Sequence, residues 1–234
     1  MNTPTPHRGL DISRAISDGW NALRRSPLEA ILGYVIYSQV GGYLILIPFA
    51  GPFLFFPFVG GFVALYLNVA RRPKGDFEDL LAGFRDFWKW MGLVALLILG
   101  YVASIIPAAL ATLAAVLITE CTPHTTGSTT ALLIVCLAVG ILATLVIYTI
   151  LSIRWFFVLF VGADGGGILE SFEVSVRMAR GNYLKLFLVN VLSFIIGGVV
   201  TLLTCGLGAY FIGPLIMLIC ARIYVDLRIS PDTA

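Results

Sequence analysis

The sequence predicts an all-α fold: a polytopic membrane bundle of six transmembrane helices, with three amphipathic interfacial helices on its cytoplasmic side. Three observations predict it. Of 234 residues, 59% are hydrophobic and 12% charged, with mean hydropathy +0.97, whereas a soluble domain is about one quarter charged. The apolar residues fall in runs near or above the roughly 20 that a helix needs to cross a bilayer. Finally, all 15 Lys and Arg fall on one side if the chain crosses six times. They are Arg8, Arg14, Arg24 and Arg25 before the first span, then Arg71, Arg72, Lys74, Arg85 and Lys89 between the second and third. Arg154, Arg177, Arg180 and Lys185 lie around the fourth-to-fifth connection, and Arg222 and Arg228 at the end. The opposite connections, near residues 41–51, 119–130 and 203–208, carry none. The positive-inside rule therefore puts both termini in the cytoplasm.

Residues 1–8, with Thr-Pro-Thr-Pro, read as a disordered lead without the apolar core of a cleavable signal. A single membrane domain follows over 9–228, and 229–234 form a short tail. Asp11 is placed to cap a helix with Ile12, Ile16, Trp20 and Leu23 on one face, the pattern of an interfacial helix. The first span is read over Leu28 to Ile47 and the second over Phe53 to Ala70, separated by Pro48, Gly51 and Pro52. The charged interval Arg71 to Trp90 returns the chain to the surface. Within it, Asp76 is placed to cap a second surface helix, 76–90, with Phe77, Leu81, Phe84 and Trp88 at helical spacing. The third span, Met91 to Ile118, is longer than a bilayer needs and carries Pro107, which predicts a kink. The fourth run ends near Ile153, before Arg154. Gly162 to Gly167, GADGGG, is read as a flexible turn into a third surface helix with Ile168, Phe172, Val176 and Ala179 on one face. The fifth and sixth spans are read over Leu184 to Leu203 and Leu207 to Leu227.

A shift of 156 positions superposes 15–70 on 171–226 without a gap. Arg24 then falls on Arg180, Leu28 on Leu184, and Gly41-Gly42 on Gly197-Gly198. The middle of the chain has the same order of elements with weaker identity. This predicts three repeat units, about 11–70, 76–161 and 168–227, each a surface helix plus a two-span hairpin. Units with an even number of crossings share one orientation, so a pseudosymmetry axis would run along the membrane normal.

Little in the sequence suggests catalysis. The two histidines are His7, in the lead, and His124, in an outer loop. HExxH and CxxC motifs are absent, and GADGGG lacks the Lys-Ser/Thr of a phosphate loop. No enzyme activity, metal or cofactor is therefore expected. Cys121 and Cys205 lie in or beside outer loops, where an oxidising exterior would allow a disulfide; ordinary packing is the alternative. Arg154 has two readings: it meets an anionic head group, substrate or carboxylate such as Asp164 or Asp226, or it snorkels to the interface. Arg222 and Asp226, four apart, are spaced to pair. Asn190, Ser193, Thr201, Gln39 and Asn68 are polar span residues that suit interhelical hydrogen bonds. Gly60-x-x-x-Ala64 and Ala209-x-x-x-Gly213 suit close helix approach.

The segment IRWFFVLFVGADGGGILESFEVSVRMARGNYLKLF, residues 153–187, followed by a hairpin ending CARIYVDL, resembles a group of uncharacterised bacterial six-span proteins. These are YciC-like proteins, related to the membrane domain attached to some glycerophosphoryl diester phosphodiesterases. The stretch Gly51 to Gly61 and the DLLAGF segment extend the resemblance over most of 10–228. It implies a bacterial inner membrane and a pattern in which Arg154, Asp164, Ser175, Arg180 and Gly181 recur. The phosphodiesterase domain itself is missing, so that activity is not implied. The expected function is a non-enzymatic role in membrane or envelope organisation, or in lipid or protein association. Its expected partners are anionic head groups at the cytoplasmic face, a second copy or another protein, and not nucleic acid. The alternative is a small transporter or channel with a polar path between the repeats, near Arg154 and Asn190.

Overall fold

The computed structural model describes residues 11–72, 75–121 and 127–228. The predicted lead, the tail and His124 lie outside them. Among the described residues are ten α-helices and one 3₁₀ helix, and no strand. The helices are α1 (Ile12–Arg25), α2 (Pro27–Ile45), α3 (Ala50–Arg71), α4 (Phe87–Ala103), α5 (Ile106–Cys121), α6 (Gly127–Arg154), α7 (Val158–Ala163), α8 (Ile168–Ala179), α9 (Tyr183–Leu203) and α10 (Ala209–Arg228). The 3₁₀ helix spans Phe77–Phe84.

Five described helical stretches are long and apolar enough to cross a membrane: Ala50–Arg71, Phe87–Ile118, Leu133–Ala163, Tyr183–Leu203 and Ala209–Arg228. The helix at the predicted first span, α2, is not among the five. Its 19 residues include Glu29, Ser38, Gln39 and three tyrosines, which dilute its apolar character. The chain divides into two compact units, one of residues 1–94 with 155–234 and the other of 95–154.

At the centre of the first unit is α3, buried along most of its apolar length. Aromatic packing joins it to α2: Tyr37 stacks on Phe62 at 3.9 Å, and the buried Tyr66 hydroxyl donates to the Ala30 carbonyl at 2.6 Å. Another interhelical bond, from Gln39 to the Tyr210 hydroxyl at 2.8 Å, ties α2 to α10. The small residues Gly60 and Gly213 admit rings rather than facing backbones, Gly60 beneath the Trp90 indole and Gly213 beneath Tyr34.

Asp76 caps the 3₁₀ helix, accepting from the Glu78 amide at 3.1 Å. The α-helix predicted over 76–90 is divided here: the 3₁₀ helix ends at Phe84, and Phe87 to Trp90 open α4. Close backbone approach accounts for the difference. Gly83 lies against the Pro57 carbonyl and Gly61 against the Leu80 carbonyl, where any Cβ would collide. With three residues per turn, Leu80 and Gly83 face α3 together. Both are buried, leaving Phe77, Leu81 and Trp88 exposed.

Asp11 caps α1 by accepting from the Ser13 and Arg14 amides at 3.1 and 3.2 Å. The Ser13 hydroxyl and the Arg14 amide hold its carboxyl below the ordinary range. α1 packs on α10 through Ala15, Gly19, Ala22 and Leu23, with Gly19 opposite Ile219. α8 packs on α7 and buries Ser171, Ser175, Met178 and Ala179.

In the second unit the end of α4 is followed by α5 and α6. The kink predicted at Pro107 is a break just before it, between Ala103 and Ile106. Proline lacks an amide and fits the first turn of a helix. The next free amide, of Ala108, donates to Thr144 Oγ1 on α6 at 3.1 Å. Gly140 fits against Ala111 and the Pro107 carbonyl.

Substituting Gly83→Ala should destabilise the protein by at least about 3 kcal/mol, the upper end of ordinary overpacking, because the obstructing atom is backbone. Gly42→Ala, with nothing within 4 Å of the added carbon, should leave stability unchanged or slightly raised. Thermal unfolding midpoints in detergent compare the two.

Candidate functional site

The long apolar run from Leu133 is interrupted after Arg154. Residues 155–157 leave the helix, and α7 restarts at Val158. The freed Phe157 amide donates to the buried Ser175 hydroxyl of α8 at 3.1 Å, so the break is satisfied by a side chain rather than by solvent. Phe157 and Phe160 then pack on Tyr224 of α10, with Phe160 stacked at 5.7 Å.

α7 ends in a Schellman-type turn. Gly165 takes φ 96°, and the amides of Gly166 and Gly165 donate to the carbonyls of Val161 and Gly162 at 3.0 and 3.3 Å. The predicted glycine turn is thus a defined helix end joined to the next helix start. There the Gly167 amide donates to Glu170 at 2.9 Å.

This turn holds Asp164 among the C-terminal ends of α3, α7 and α10. Arg71, in the last turn of α3, grips its carboxylate with both guanidinium nitrogens at 2.5 and 2.8 Å. Arg228, in the last turn of α10, forms a second ion pair with it. The Tyr224 hydroxyl donates to Asp164 at 2.9 Å and accepts from Arg228 at 2.6 Å. The Asp164 side chain is 16% exposed, Arg71 33% and Arg228 47%. Lys89 adds a third cation, donating to the Gly162 carbonyl at 3.1 Å and pairing with Asp86 at 3.0 Å. Three helix C-termini carry partial negative charge and favour cations. Two guanidiniums on one carboxylate leave one formal positive charge, which those helix termini offset.

Of the residues singled out in the sequence, Asp164 is the centre of this cluster. The others lie elsewhere. Arg180 is exposed at the end of α8 and lines a groove with Phe172, Glu173, Val176 and Arg177. Asn190 is half-buried on α9. Arg222 is half-buried on α10, in the field of Asp18 and Arg25 of α1 and of Asp226. Asp226 is exposed. Arg154 is exposed at the end of α6, in the second unit. Cys205 is exposed at a left-handed turn with φ 50°, and the Cys121 side chain lies outside the described residues.

Arg71, Tyr224, Arg228 and Lys89 were not singled out as site residues. The signal available was position: Arg71 and Arg228 each close an apolar run. A tyrosine within such a run gives no sign that its hydroxyl meets an acid 60 residues away.

Residues 10–221 match a family described as a domain of unknown function, DUF7847. The chain belongs to that family. No curated protein and no solved structure matches it. Asp164 and Tyr224 thus carry no assigned role from relatives, and the case for them rests on geometry.

Arg71→Ala and Asp164→Ala should each destabilise the protein by about 1.5–3 kcal/mol, the range for hydrogen bonds to charged groups. The double variant should lose much less than the sum, read as a double-mutant cycle of thermal or denaturant unfolding. Ser175→Ala should cost about 1–3 kcal/mol, because it strands the Phe157 amide.

Proposed function

We propose that the chain is a six-span inner-membrane protein built from three helix-plus-hairpin units. Its basic, cytoplasmic end associates with anionic lipid and serves membrane organisation without catalysis. The observation that carries this reading is the set of apolar helices whose flanks are exposed, in a chain whose basic residues Arg71, Lys89 and Arg228 gather at helix ends. α5, α6 and α9 present Leu113, Val116, Val139, Leu142, Leu192 and Phe194 outward. In water such surfaces would aggregate; a bilayer covers them.

The internal repeat draws support from burial. Shifting the buried residues of α1 (Ala15, Gly19, Ala22, Leu23) by 156 positions gives those of α8 (Ser171, Ser175, Met178, Ala179). The helix starts Ile12 and Pro27 fall on Ile168 and Tyr183. Under this reading α2 is the first span, matching α9. The 3₁₀ helix packs on α3, α8 on α7, and α1 on α10.

Two measurements test the reading. Single cysteines at Thr3 and Thr233, in a background without the native cysteines, should both resist an impermeant thiol reagent in intact cells; opposite accessibility would mean five crossings. Native mass spectrometry of the full chain should show preferential retention of phosphatidylglycerol over phosphatidylcholine. Equal retention would sink the lipid association.

A further inference from the structure

The exposed side of α8 carries a groove of about 370 Å³ lined by Phe172, Glu173, Val176, Arg177 and Arg180. Phe172 and Val176 are half-buried, and the three charged residues are exposed. Trp155 meets Phe172 edge-on at 5.2 Å. α8 lies between two membrane-capable stretches, Leu133–Ala163 and Tyr183–Leu203. A short helix in that position sits where acyl chains give way to head groups.

We infer that this groove binds one anionic phospholipid, with its phosphate between Arg177 and Arg180 and an acyl chain along Phe172 and Val176. This rests on the membrane reading above and names a site for it. The charge is complementary: two guanidiniums against one acid, Glu173, leave a net positive rim beside an apolar floor. Both arginines lie at the C-terminal end of α8, whose dipole disfavours an anion by roughly half a charge. Two full charges outweigh it. The phosphate oxygens accept the paired N–H groups of a guanidinium; phosphatidylcholine has the same phosphate but adds a quaternary ammonium that a cationic rim repels, so the rim selects the net-negative lipid.

A second helix presents the same stripe. Under the 156-position shift Phe172, Val176 and Arg180 correspond to Ile16, Trp20 and Arg24. Ile16 and Trp20 are 48% and 44% exposed on α1, and the Arg24 guanidinium lies over Trp20 at 5.1 Å. The faces opposite both stripes are buried against the bundle. Two apolar residues and an arginine thus recur at four-residue spacing on both helices, the arginine exposed on each.

The test uses the full chain, purified and incubated with phosphatidylglycerol and phosphatidylcholine of matched chains, and counts retained lipid by native mass spectrometry. Arg177→Gln with Arg180→Gln should weaken phosphatidylglycerol retention about thirtyfold, from the surface-charge worth of two basic side chains, and lower phosphatidylcholine retention far less. Glu173→Gln should strengthen it. Phe172→Ser should weaken it with the arginines intact. Glu173, Arg177 and Arg180 are exposed, and unfolding midpoints of their variants should stay at the wild-type value; Phe172→Ser gives up the Trp155 contact, and its retention is compared at equal folded fraction. If wild type prefers phosphatidylglycerol and the double arginine variant keeps that preference, the groove is not the site, while the proposed function stands. If wild type shows no preference, both fall. A wild-type dimer that the arginine variant dissolves would assign the groove to a second copy, and loss of retention on adding glycerol phosphate, with Phe172→Ser silent, would assign it to a free anion; either result overturns the lipid assignment.

Discussion

The hydrogen bond from the Phe157 amide to the Ser175 hydroxyl is the interaction on which the arrangement around Asp164 depends. A helix broken among buried apolar side chains leaves amides that water does not reach. Ser175 accepts one of them from within the protein. α7 can then begin at Val158, set Phe157 and Phe160 against Tyr224, and end with Asp164 between Arg71 and Arg228. Under the 156-position shift Ser175 corresponds to Gly19. There Gly19 meets Ile219 directly, without a hydrogen bond to make.

The same constraint is met differently at the other interruption. Between α4 and α5 the Pro107 ring removes one donor, and Thr144 on the neighbouring helix accepts from Ala108. In both cases a hydroxyl on a packed helix substitutes for the missing turn. Such hydroxyls would read in the sequence as minor polar insertions in apolar runs. Their importance is local, since each answers a particular free amide.

Charge and packing divide the molecule between two tasks. The interior of the first unit is aromatic and aliphatic, held by stacked rings around Phe62 and by the Tyr66 hydroxyl. Its ionic groups gather at helix ends, where part of each side chain stays in contact with solvent. There the Asp164 carboxylate is met by two guanidiniums and a phenol. The clamp is a structural tie between helices far apart in sequence. The outward arginines of α8 and α1 remain available for partners, since they are not used in that tie.

Much of the helical layout was legible from residues alone. Apolar runs bounded by charge gave α3, α9 and α10 nearly to the residue. Asp11 and Asp76 announced helix starts because a carboxylate two or three positions ahead can reach free amides. Pro107 announced the break near it. Among site residues, Asp164 was named as a carboxylate that Arg154 could meet, and the structure pairs it with Arg71 and Arg228. Arg71, Tyr224 and Arg228 were not, because nothing in a one-dimensional pattern brings residues 71, 164, 224 and 228 to one point. The 3₁₀ form of 77–84 was also hidden, since the side-chain spacing fits an α-helix and only the contact of Gly83 with α3 selects the tighter winding. The sequence by itself determined which stretches avoid water and where charge interrupts them, as transfer from water is a property of each residue. Tertiary structure decided which carboxylate each arginine meets and which hydroxyl satisfies each freed amide, because those energies depend on distances between segments remote along the chain.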